Sequence, residues 1–62
     1  MYKYYIHDKM NCYVSDDFQT AYDIACDIAL NYNGIFWLYI REENISFFDI
    51  DELTAYWENI QP

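Results

Sequence analysis

The sequence predicts an α+β fold: a small antiparallel sheet of three or four strands, with two helices packed mainly on one face, in the order β(β)αββα. Three observations predict it. Residues 2–7, 35–41 and 45–48 are short runs rich in β-branched and aromatic side chains. Two longer stretches repeat apolar residues at helical spacing. Polar clusters with turn and cap chemistry separate these segments. For this order, an antiparallel sheet with both helices mainly on one side buries the most apolar surface.

The elements follow in order. Residues 2–7 form the first expected strand. Alternation places Tyr2, Tyr4 and Ile6 on one face and Lys3, Tyr5 and His7 on the other. Only one set meets the core if the sheet is covered on one side. Asp8-Lys9-Met10-Asn11 is polar enough for a turn, and residues 12–14 are a short second strand completing a hairpin. Ser15-Asp16-Asp17 reads as a helix start, because Ser and Asp cap well and carboxylates favour the positive end of the helix dipole. With Asp16 as the cap, Gln19 takes the capping-box position. Phe18, Ala21, Ala25, Ile28, Ala29 and Tyr32 then recur at helical spacing, and Tyr22 and Ile24 widen that stripe. Asn33-Gly34 supplies a left-handed stop.

Residues 35–41 are the clearest strand. With almost no polar position, it is expected to be central and covered on both faces. Glu42-Glu43-Asn44 makes a turn, and residues 45–48 return as a further strand. Asp49 caps the second helix, with Glu52 three residues on in the capping-box position. Ile50, Leu53, Trp57 and Ile60 recur at helical spacing, and Pro62 follows. The expected core is Trp37, Leu38 and Ile40 on the central strand, Ile28 on the first helix, and Leu53 and Trp57 on the second.

Residues 1–62 read as a single domain, with one Gly, one Pro and no linker or repeat. A domain this short buries only about 60% of the surface its unfolded chain exposes. Yet 23% of the residues are aromatic: eight Tyr, four Phe and two Trp. A core of this size cannot enclose all of these rings, so several lie at the surface or in an interface. A homodimer through the uncovered sheet face is one expected assembly, because pairing helps a short chain find enough core.

Charge sets the second bound. Eleven Asp and Glu face three Lys and Arg, for a net charge of −8. Direct binding to nucleic acid is disfavoured, since neutralising phosphates needs Lys and Arg. Anionic membranes are disfavoured for the same reason. A basic protein surface is the favoured partner, steered in by the field; the bland alternative is that acidity keeps an aromatic-rich chain in solution. The N-terminal residues lack the pattern of a signal peptide, and the apolar run at residues 35–40 is far too short to span a membrane. The expected location is cytoplasmic. There Cys12 and Cys26 stay reduced. Their spacing matches no zinc or redox motif, so both are expected to be small buried hydrophobes.

The sharpest feature is an acidic face. Asp16, Thr20, Asp23, Asp27 and Asn31 fall on one stripe of the first helix. Asp23 and Asp27 stand about 6 Å apart along the axis, at the helical rise. That is of the order of the spacing between neighbouring phosphates on one nucleic-acid strand. Asp51, Glu52 and Glu58 decorate the second helix, and Glu42 and Glu43 sit on the hairpin turn. Like charges one turn apart destabilise a helix by about 0.2–0.5 kcal/mol per pair, and neither helix carries a basic residue to relieve them. An exposed Tyr5 near carboxylates adds a cation–π contact for Arg or Lys. The partner-binding set is therefore Asp16, Asp23, Asp27, Glu42, Glu43, Asp51, Glu52, Glu58 and Tyr5.

No catalytic residue, metal or cofactor is expected. His7 is the one histidine, and nothing in the spacing supports a dyad with Cys12 or Cys26; a partly exposed strand histidine is the plainer account. Asp49-Ile50-Asp51-Glu52 lacks the calcium loop and its central Gly. The reading is a small acidic protein-binding inhibitor or modulator that mimics nucleic acid and blocks a basic surface. Small acidic proteins of phages and mobile elements act this way against host nucleases, restriction enzymes and CRISPR effectors, an analogy of size and charge alone. The alternative is a non-catalytic assembly module that uses an aromatic sheet face for homodimerisation or for an apolar partner. A charge-driven complex weakens with salt, and an apolar one does not.

Overall fold

The computed structural model describes residues 1–31 and 35–60. Its elements are β1 (Tyr4–His7), β2 (Cys12–Ser15), α1 (Phe18–Asn31), β3 (Trp37–Ile40), β4 (Ile45–Phe47) and α2 (Ile50–Ile60). The expected stop at Tyr32 and Asn33-Gly34, and Pro62, lie outside the described residues. The strands form one antiparallel sheet in the order β2-β1-β3-β4, so the fold is the α+β arrangement that the sequence predicts.

Register divides the strand residues into two faces. Ile6 stands opposite Tyr13 on one side and Leu38 on the other, and Leu38 stands opposite Phe47. Tyr4, Ser15, Ile40 and Ile45 form the next row on that face. Tyr5, Val14, Tyr39 and Ser46 make up the alternate row, followed by His7, Cys12 and Trp37, and these point the other way. Both helices pack on the first face. Ile6, Leu38 and Ile40 meet Ala21, Ala25 and Ile28 of α1 and Leu53 of α2 in one buried cluster, joined by Phe36. Ala21 and Ala25 are wholly buried, and their small side chains let α1 lie close on the sheet. α1 runs over β1 and β2, while α2 packs on β4 and against α1.

Leu38, Ile40, Ile28 and Leu53 are in the core as expected. Trp37 is not. It lies half-buried on the face away from the helices, stacked near Tyr39 and His7. Phe36, one residue earlier and of opposite parity, is buried in its place. β3 is central in the sheet, but the expectation that both its faces are covered is also wrong, because both helices pack on the same side. Trp57 is half-buried at the margin of the core, with Tyr22 at 4.6 Å and Phe18 at 5.6 Å between ring centres.

Local hydrogen bonds fix the ends of the elements. Asp17, not Asp16, caps α1: its Oδ2 accepts from the Thr20 amide at 3.0 Å and the Thr20 hydroxyl at 2.9 Å. Ser15 Oγ accepts from the Asp17 amide at 3.0 Å and sets that geometry. Asp16 is turned back to the residue before β1, where it accepts from the Lys3 amide at 3.1 Å. Gln19 makes no capping box and donates instead to Asp23. Asp49 caps α2 through the Asp51 amide at 3.0 Å; Glu52 remains exposed and forms no reciprocal bond among the described residues. Asp8 Oδ1 closes the β1–β2 turn by accepting from the Met10 and Asn11 amides at 2.8 and 2.6 Å. In the β3–β4 turn Asn44 has φ of 55°, a left-handed position that Asn tolerates better than most residues, and its Oδ1 accepts from the Tyr39 hydroxyl at 2.9 Å. Among the described residues, no helix is long and apolar enough to cross a membrane.

Candidate protein-docking site

The α1 stripe faces outward beside the edge strand β2. Thr20, Asp23 and Asp27 are exposed, while Ile24 and Ile28 turn inward from the same flank. With Tyr13 of β2 these residues line an open groove of about 460 Å³. Its floor is aliphatic, one wall is an aromatic ring, and two carboxylates stand on its rim. A Lys or Arg side chain matches that combination: its stem covers apolar surface while its charged head meets carboxylate and ring. Tyr13 and Ile24 are functional candidates that the sequence reading missed. The alternation of β2 with β1 carries the signal, because Tyr13 opposite Ile6 points to the helix side.

Each rim carboxylate has a neutral amide one turn away. Gln19 Nε2 donates to Asp23 Oδ1 at 3.0 Å, and Asn31 Nδ2 donates to Asp27 Oδ1. Such amide–carboxylate pairs stabilise a helix by about 0.2–0.5 kcal/mol each, the same size as the Asp23/Asp27 repulsion. Two favourable pairs thus offset one unfavourable pair. The negative charge itself is left intact, since amides do not neutralise it.

The remaining acidic residues divide into two further groups. Glu42 and Glu43 lie at the end of the sheet where α1 begins, and Asp17 joins them there. Burial first, and then these three carboxylates, push the Tyr4 hydroxyl above the ordinary tyrosine range. Glu43 also accepts a hydrogen bond from the Tyr56 hydroxyl and so ties the hairpin turn to α2. Burial and that bond push Tyr56 up to about 12. Lys3 Nζ stands 3.9 Å from Glu42 Oε1, an exposed pair of little energetic weight. On α2, Asp51 and Glu52 occupy the first turn, where the dipole favours them, and Glu58 lies near the unfavourable end. All three are exposed, and none lines the α1 groove. Tyr5 lies on the opposite sheet face, 6.3 Å from Tyr39 between ring centres, apart from the helix carboxylates.

Cys12 and His7 are cross-strand neighbours, with Sγ 3.7 Å from Nε2. The spacing in sequence did not reveal this proximity. The imidazole also lies 4.8 Å from the Trp37 ring, and His7 is half-buried as expected of a strand histidine. Both cysteines are free thiols, but Cys12 is exposed and Cys26 only half-buried, so neither is the fully buried packing residue expected. Cys12 begins an edge strand and has the parity of the uncovered face. No cluster of three or more metal-ligating side chains occurs among the described residues. Comparison with protein-family models, curated proteins and solved structures found no match to this chain.

Proposed function

We propose that this chain is a small non-catalytic protein-binding module whose α1 groove and neighbouring carboxylates dock on a basic surface of a nucleic-acid-binding protein, in place of phosphates. One observation carries the reading: Asp23 and Asp27 rim an aliphatic and aromatic groove on a helix that has no basic residue. The partner is an inhibited or modulated target, of the kind that phage and mobile-element proteins of this size and charge act on. Net charge of −8 speeds the encounter with such a target, and the groove supplies the short-range contact.

The test replaces Asp23 and Asp27 with Asn, which keeps shape and removes charge. Wild-type and variant protein are used for affinity capture at low and high salt. The expected partner binds nucleic acid, is lost at high salt, is displaced by added DNA or RNA, and is held weakly by the variant. Each well-formed charged contact contributes about 1.5–3 kcal/mol, and one solvated at the rim contributes near zero. Capture that is equal for both proteins at low salt, with no competition by nucleic acid, rules the reading out.

A further inference from the structure

We infer that the open face of the sheet is where a second copy of this chain docks, forming a symmetric homodimer independent of the acidic groove. Tyr5, His7, Trp37 and Tyr39 occupy the two central strands on that face. Their ring centres lie 4.8–6.3 Å apart along the series. These rings are already half-buried by one another, so little side-chain freedom remains to be lost on docking. At the far end, exposed Ile35 and Phe48 join His7, Phe36 and Trp37 around a depression of about 250 Å³ that Asp8 and Lys9 also border.

Size and charge select the occupant. Both helices pack on the same side of the sheet, and the short 17 Å dimension of the molecule is the stacking direction. The broad faces then span at most 31 × 26 Å, so a standard specific interface of roughly 800 Å² per partner would need the whole of one such face. Two copies each of charge −8 repel one another through their helix layers. The strand positions of the open face carry no carboxylate, and the strand parity puts Lys3 and Arg41, together with Asp16, in the row at its end. This is therefore the broad face on which a second copy meets chiefly rings, with carboxylates only at its ends. A basic partner is drawn to the other side.

Sedimentation and light scattering of the reduced protein, from micromolar to millimolar concentration, test the inference. The expected result is a concentration-dependent dimer that tightens as salt screens the repulsion between copies, opposite in sign to the salt dependence of a charge-driven complex. Val14→Asp and Phe48→Asp alter exposed positions of this face and should each raise the dissociation constant at least about tenfold. Asp23→Asn with Asp27→Asn should leave the dimer intact. A monomer at every concentration overturns the inference, as does a dimer indifferent to both face variants. Should a variant fail to fold, the Cys12 thiol of a Cys26→Ser protein gives a second reading. Its modification should slow as protein concentration rises, and a constant rate overturns the inference. So does a monomer that instead binds single-stranded oligonucleotide with quenching of Trp37.

Discussion

Asp8 shows how one side chain fixes a turn and records it in a titration. Two backbone amides donate to its Oδ1, and they hold its carboxyl below the ordinary aspartate range. Its folded pKa is depressed, so the contribution to stability is present above the unfolded value of about 3.9 and is lost as pH falls through the folded value. Asp8→Asn keeps the acceptor and removes the charge. Its melting temperature should therefore lose part of the wild-type fall below pH 4 (about the unfolded value), as read by circular dichroism. Tyr56 works in the opposite direction. Its folded pKa is raised to about 12, so its contribution is present below the ordinary value of about 10 and is lost as pH climbs through the folded value. Tyrosinate absorbance should show a late-titrating group in wild type that is absent in Tyr56→Phe. If the group lost in Tyr56→Phe titrates in the ordinary tyrosine range, about 10, the hydroxyl is not held by Glu43.

The elements were legible where one local pattern decides them, and less so where a neighbour decides. Strand β1 alternates as read, with Tyr4 and Ile6 inward and Tyr5 and His7 outward, because pleating alone sets that alternation. The α1 stripe of Ala21, Ala25 and Ile28 is likewise buried as read. The cap of α1 was misplaced by one residue, since Ser15, Asp16 and Asp17 all have cap chemistry. Only the bonds from Lys3 and Thr20 distinguish Asp16 from Asp17. The core prediction belongs at this scale. Leu53 of α2 is wholly buried, and Leu53→Ala should lower stability by about 2–5 kcal/mol. Trp37→Ala should lower it by less, despite the larger side chain, because Trp37 lies on the open face. Ala25→Leu would force α1 off the sheet and should cost about 1–3 kcal/mol. Chemical denaturation of the three variants checks the order. A Trp37 variant as unstable as Leu53→Ala would place the ring in the core after all.

At the scale of the whole molecule, the free thiols of Cys12 and Cys26 leave the fold resting on its packing. Cys12→Ala combined with Cys26→Ser should remain folded, weakened only by the half-buried Cys26, and reductant should leave wild-type melting unchanged. Unfolding by reductant would instead reveal a structural disulfide. The sequence by itself determined the element order, the antiparallel α+β class, the acidity of both helices and the excess of rings over available core. Those properties follow from composition, periodicity and cap chemistry, which act within a few residues. Tertiary structure alone decided which parity of β3 is buried. With rings and aliphatic groups at every position from Ile35 to Ile40, no polar residue marks the outer face, and the choice falls to the helices packed on one side. It alone placed Tyr13 beside Asp23 and Asp27, gathered Asp17 with Glu42 and Glu43 around Tyr4, and set Cys12 against His7. Each of these groupings joins residues from different elements, and strand order and register, not spacing along the chain, fix the distance between them.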